Sequence, residues 1–223
     1  MKTMKLFMAS FVAALFIISA CQKENSDSAT SKQASVAANF ALGSEKDKAG
    51  AAQVRWDIIS TDLPITTLNP GGVAFASAIS GSVLSNLKIK FTGSGTFVAP
   101  SSSGTSGAVT GGGTWETFSG ATSTGSGTYE VTSLASWVFA NFATASFIDN
   151  IGNVNERANG TAVLVIEYSD GSHGTLGVGC HGPGAPDGIE EGVIATKGYV
   201  TYWTGEVPTG SADKNRTVFH VRR

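Results

Sequence analysis

The densest group of residues able to do chemistry is Cys180-His181-Gly-Pro-Gly-Ala-Pro-Asp187-Gly-Ile-Glu190-Glu191. A thiol, an imidazole and carboxylates this close in sequence could form a nucleophile with its base, or a metal site using His181, Asp187 and Glu190. Strand geometry restrains the first idea. If Cys180 and His181 continue a strand, their side chains point to opposite faces and cannot share a proton. The alternative is that Cys180 is a small buried apolar group at a strand end and that Gly-Pro-Gly-Ala-Pro shapes a rigid turn. The balance of these readings is that no metal is expected, that no cofactor is implied, and that Cys180, His181, Asp187 and Glu190 are the residues to test for catalysis.

Other polar groups are scattered. His173 lies eight residues before His181, roughly 26 Å along a strand at about 3.3 Å per residue, so the two cannot ligate one metal ion. His220, on a late strand, is not placed against either. Asp149, Asn153, Asn155 and Glu156 make an oxygen-rich stretch without EF-hand spacing, which reads as a surface turn rather than a calcium loop. Glu116, Glu130 and Glu167 fall inside expected strands. Glu167 shares a face with Val163 and Val165, so it sits either near a rim or buried and perturbed. The aromatics Trp115, Trp137, Tyr168, Tyr199, Tyr202 and Trp203 could line a cavity or a glycan-binding face, or form core and girdle.

The elements that position these residues read as β structure. Apolar residues recur with period two, and Gly, Ser, Thr and Val outnumber the strong helix formers. Leu87, Ile89 and Phe91 alternate with Lys88 and Lys90, the pattern of a half-buried strand. A short motif occurs three times: Thr92-Gly-Ser-Gly-Thr-Phe97, Thr110-Gly-Gly-Gly-Thr-Trp115 and Thr124-Gly-Ser-Gly-Thr-Tyr129. In an extended chain the outer glycines and the ring of each copy share a face, with Thr on the other. A ring can then lie over the bare backbone of the neighbouring strand, and the sheet can bend sharply. No helix or suitably placed Lys follows, so a phosphate cradle is disfavoured. Val98–Val109 and Glu116–Ser123 are expected as hairpin connections, the first long and mobile.

The clearest hairpin runs out over Thr161–Ser169, turns at Asp170-Gly171 and returns over Ser172–Cys180. A two-residue type I′ turn there predicts that Tyr168 faces His173, Ile166 faces Thr175 and Val165 faces Leu176. The outgoing strand is apolar on both faces and should be central. With Val54–Ser60, Val73–Ala78, Val193–Trp203 and Thr217–Val221, the expectation is an all-β antiparallel meander of about eight to eleven strands, closed as a barrel or stacked as a sandwich. The glycine and aromatic strands loosely resemble lipocalin-like and dirigent-like barrels, which implies a small apolar ligand inside.

The start of the chain supplies location. Lys2 and Lys5 precede an apolar run from Leu6 to Ile18 and the small residues Ser19 and Ala20, the layout of a signal peptide over 1–20. That run is shorter than the roughly 17–25 residues a spanning helix needs. Ile18-Ser19-Ala20-Cys21 resembles the lipobox of bacterial lipoproteins, with Ile in place of the commoner Leu. The resemblance implies cleavage before Cys21, diacylation of its thiol and stable anchoring by palmitate-type chains. Gln22 is not the Asp of inner-membrane retention, so the outer membrane or cell surface of a Gram-negative bacterium is implied. Residues 21–52 then read as a lipidated N-terminus with a flexible tether, spanning roughly 30 Å for about 30 residues. Residues 53–223 read as one β domain.

That domain holds nine Lys and Arg against thirteen Asp and Glu, a formal charge of −4. No basic patch appears, which argues against nucleic acid and against docking on anionic lipid. With Cys21 lipidated, Cys180 has no partner for a disulfide. No complete catalytic constellation is legible. The chain therefore reads as a membrane-anchored, non-catalytic binding protein for a small apolar ligand, a glycan or a protein, with an enzyme or metal site at 180–191 as the alternative.

Overall fold

In a computed structural model, residues 52–62, 64–78, 86–99, 108–144, 146–206 and 214–222 are described. The expected signal peptide, Cys21, all but the last residue of the expected tether and most of the connection between Val98 and Val109 lie outside them. The described residues belong to one compact unit, Lys46–Arg223.

The strands are β1 (Gln53–Thr61), β2 (Thr67–Pro70), β3 (Ala74–Ser77), β4 (Leu87–Phe91), β5 (Ser94–Val98), β6 (Val109–Ser119), β7 (Thr122–Phe142), β8 (Ile148–Asp149), β9 (Arg157–Tyr168), β10 (His173–Cys180), β11 (Gly192–Lys197), β12 (Val200–Tyr202), β13 (Thr204–Gly205) and β14 (Arg216–Arg222). A 3₁₀ turn at Val154–Glu156 is the one helical element among the described residues. Fourteen segments exceed the expected eight to eleven because long strands are interrupted. Only Thr92-Gly93 separates β4 from β5, and only Trp203 separates β12 from β13.

Six strands close a ring. β1 pairs with β5, β5 with β6, β6 with β7, β7 with β9, β9 with β14, and β14 with β1, each antiparallel. The chain is thus an all-β protein with a closed barrel. The sheet continues beyond it, through β4 and β3 from the far half of β6 and through β10 and β11 from the far half of β9. β9 is paired along both edges, the central position expected for it.

The three glycine motifs lie side by side on β5, β6 and β7 and work as their spacing suggests. The Trp115 ring covers β7 where a Cβ on Gly125 would sit 3.4 Å from its Cζ3 and one on Gly127 would sit 3.0 Å from its Nε1. Tyr129 reaches across to donate from its hydroxyl to Thr92 O at 2.9 Å. On the opposite, exposed face the threonines pair, Thr92 with Thr114 at 2.7 Å and Thr96 with Thr110 at 2.8 Å. At Gly113 two backbones nearly touch, since a Cβ there would lie 2.7 Å from Gly93 Cα. The barrel interior is filled by rings: Trp137 packs edge-on against Phe97 at 5.3 Å and Phe219 at 4.7 Å, beside fully buried Trp56.

Three expectations are corrected. The β9–β10 register is shifted by one: His173 faces Glu167, Thr175 faces Val165 and Leu176 faces Leu164. Type I′ needs positive φ at both central residues, but only Gly171 has it, at 80°, and Asp170 does not. The loop is instead three residues long, Tyr168 N–H donating to Ser172 O at 2.9 Å, with the Asp170 carboxylate capping Ser172 N–H at 3.1 Å. Glu116–Ser123 is mostly strand, with the turn confined to Gly120 and Ala121. Val193–Trp203 is not one strand but a hairpin, β11 folding back as β12 across Gly198 at φ 56°.

Candidate functional site

β9 changes partner along its length. Arg157 and Ala158 pair with β14, whereas Gly160–Glu167 pair with β10, so β14 and β10 diverge as a fork. The segment carrying β2 and β8 covers the outer side of β1 and β14, where Ile59, Leu68 and Val218 are buried with Ile65, Phe147 and Ile151 against them. Between the fork, this flap and the 181–191 loop lies a cleft of about 720 Å³. Its size is within the roughly 300–1,000 Å³ usual for small-molecule sites.

The loop that borders the cleft is pinned by a chain of amides. Gly182 N–H donates to Asn159 Oδ1 at 2.8 Å, Asn159 Nδ2 to Asn141 Oδ1 at 2.8 Å, and Asn141 Nδ2 to Gly184 O at 2.5 Å. Thr144 adds a hydroxyl bond to Pro183 O at 3.2 Å. Asn159 is fully buried, which explains why a polar residue occupies a core strand: the loop's backbone would otherwise be unpaired.

Cys180, His181, Asp187 and Glu190 all line this cleft. Their environments differ. Cys180 is buried in the main core, and burial, aided by the nearby Glu191 charge, pushes its thiol well above the ordinary range. Such a thiol is a poor nucleophile at neutral pH. His181 is exposed, and its Nδ1–H donates to Ile189 O at 2.6 Å. Asp187 and Glu190 are exposed. Among the described residues no three His, Cys, Asp or Glu side chains group closely enough to hold a metal ion.

The central carboxylate is Glu191. It accepts from His181 N–H at 2.6 Å and from Thr217 N–H at 2.7 Å, and so ties the end of β10 to the start of β14. Thr217 completes the tie through its hydroxyl, 2.5 Å from Gly179 O. Burial pushes the Glu191 carboxyl up to about 7, against the two backbone donors and Arg216, which favour its charged form. Arg216 follows Asn215, a buried residue held at φ 61° whose side chain accepts from Phe75 N–H at 2.8 Å. That anchor sets where β14 begins and hence where Arg216 stands.

A second buried cluster supports the wall. Asp149 accepts from His220 Nε2–H at 2.9 Å and lies 3.7 Å from Arg157, all three side chains at most 3% exposed. Burial opposes ionisation of Asp149, but the bonds from His220, Gly152 N–H and Ile151 N–H outweigh it and hold the carboxyl below its ordinary range. Asp149 and Asn153 both spend side-chain oxygens on local backbone, Asn153 Oδ1 accepting from Asn155 N–H at 3.0 Å. His220 thus meets Asp149, and neither of the other histidines.

Glu167 takes the rim position, exposed on β9 between Glu130 and His173. Of the aromatics, Trp115, Tyr168 and Tyr202 are buried and Trp137 is half-buried, while Tyr199 and Trp203 are exposed. Comparison with models of known protein families, with curated proteins and with solved structures finds no match.

Proposed function

We propose that this chain is an exported, lipid-anchored protein whose β-barrel domain binds a small molecule in the cleft at the β9 fork without converting it. The observation that carries the binding reading is the cleft itself. About 720 Å³ of space is bordered by apolar Ile59, Ile65, Leu68 and Phe147 together with Arg157, Arg216, His181 and Glu191. Few convergent polar groups on an apolar wall is the usual make-up of a binding site. A thiol that burial holds in its neutral form, and an imidazole whose Nδ1 is engaged by Ile189 O, favour binding over acyl transfer. The lipobox-like Ile18–Cys21 and the polar stretch after it support anchoring at the outer membrane or cell surface.

Two measurements test this reading. Cys21→Ser should move the chain from the membrane fraction to the soluble fraction. A small-molecule library should contain compounds that raise the thermal midpoint of the chain, by mass action on the folded state. If Cys21→Ser fractionates as the parent chain does, the anchor is wrong. If no compound raises the midpoint, the binding function is wrong.

A further inference from the structure

We infer that the cleft takes an amphiphile with a single anionic head, its head held by Arg216 and its apolar body lying on Ile59, Ile65, Leu68, Phe147 and Val218. This rests on the cleft being a binding site and names the class of its ligand.

The argument begins with placement. Arg216 pairs with Ile59 across β1 and β14, and Val218 stands two residues along the same strand. Alternation puts Arg216, Val218 and Ile59 on one face, so a cation lies roughly 7 Å from an apolar strip, measured along the strand. The strip belongs to a cluster separate from the main core, with Ile65 and Phe147 only half-buried against it. Apolar surface that is sheltered yet incompletely covered leaves area to be buried by a ligand.

The two arginines of the cleft differ in what they already do. Arg157 is engaged: its Nε donates to Val154 O at 3.3 Å, it lies beside Asp149, and its guanidinium sits 5.3 Å over the Phe147 ring. Arg216 enters none of the ion pairs formed among the described residues. Its Nε is buried with no acceptor among the described residues. An unmet buried donor on a cation is costly, and an anionic oxygen placed there removes the cost. Arg216 favours the charged form of Glu191 through space, but the hydrogen bonds that Glu191 accepts come from His181 and Thr217. A planar guanidinium beside an apolar strip suits a carboxylate or phosphate ester with a hydrocarbon or aryl body.

Octanoate and octan-1-ol, which share a tail and differ in the head, test this on the full chain in phosphatidylcholine nanodiscs. The methyl resonances of Ile59 and Ile65 report occupancy of the cleft. Octanoate is expected to shift them with about tenfold higher affinity than octan-1-ol, the worth of one charge-assisted contact. Arg216→Gln should abolish that preference and Arg216→Lys should keep most of it. Equal affinity of the two probes in the parent chain, a reading that needs no variant, overturns the anionic head while leaving the cleft as an apolar site. The same conclusion follows if Arg216→Gln retains the preference. If neither probe shifts the methyls at millimolar concentration, both the ligand class and the cleft reading fail.

Discussion

On the buried side of β5, β6 and β7 stand rings and bare glycine backbone, whereas around the β9 fork the buried side carries Asp57, Arg157, Asn159, Thr217 and His220. Both regions are β sheet, and both are well enclosed. The meander gains its stability from shape, because Trp115 and Tyr129 need no partner beyond a glycine to lie on and a carbonyl to reach. The fork must satisfy charges and amides individually, and Glu191, Asn159 and Asp149 each do so across strands that are about to part. Where backbones diverge, ladder hydrogen bonds end and side chains must replace them. The same divergence opens the cleft, so the polar cost and the functional space have one origin.

The comparison can be broken first at the meander. Gly113→Ala places a Cβ against backbone that cannot yield, and should destabilise by about 3 kcal/mol or more in urea unfolding. An unchanged midpoint would show that close backbone approach is not what the glycines provide. Glu191→Ala, at the fork, leaves His181 N–H and Thr217 N–H without acceptors and should cost about 2 kcal/mol.

Titration separates the two kinds of carboxylate at the fork. Glu191, raised from 4.5 to about 7, keeps its proton in the folded chain after the unfolded chain has lost it. Its contribution to stability therefore falls as pH rises from about 4.5 to 7 and is constant above. Glu191→Gln should flatten the fall, read as the urea midpoint against pH. Asp149 works with the opposite sign: its lowered carboxyl stabilises the fold above the ordinary carboxylate range and loses that contribution as pH falls through it. Asp149→Asn should cost about 1.5 kcal/mol at pH 7 and reduce the acid-side loss.

The smallest expected effect lies outside both regions, at the β9–β10 turn. Gly171→Ala forces a Cβ onto φ 80° and should cost about 1 kcal/mol. Asp170, held down to about 2 first by Lys197 and then by Ser172, also loses stability as pH falls from 3.8 toward 2. If Gly171→Ala costs as much as Gly113→Ala, local turn strain rather than sheet contact limits the fold.

Much of the architecture is legible locally because strand periodicity is local. Leu87–Phe91 is β4 to the residue, and the ring-over-glycine contact follows from where Gly125 and Gly127 stand relative to Trp115. The hairpin register was not legible, since Asp170-Gly171 serves either a two- or a three-residue loop, and the choice depends on whether Asp170 adopts positive φ. Nor was it legible which carboxylate ties the fork: Glu190 and Glu191 are adjacent and alternate in direction, so only the path of β11 away from the loop decides that Glu191 meets Thr217. Asn141 and Asn159 carry no pattern in the sequence that singles them out, yet they hold the loop.

The amino-acid sequence by itself determined the class of fold, the faces of its strands and the gathering of Cys180, His181, Asp187 and Glu190 along one loop, because these depend on neighbours in the chain. Tertiary structure alone decided that the loop borders a cleft, that Glu191 closes the fork, that His220 meets Asp149 from 71 residues away, and that Arg216 lines the cleft with its Nε unpaired among the described residues. Those outcomes depend on how a sheet closes and where two strands part, and no short window of sequence contains both strands.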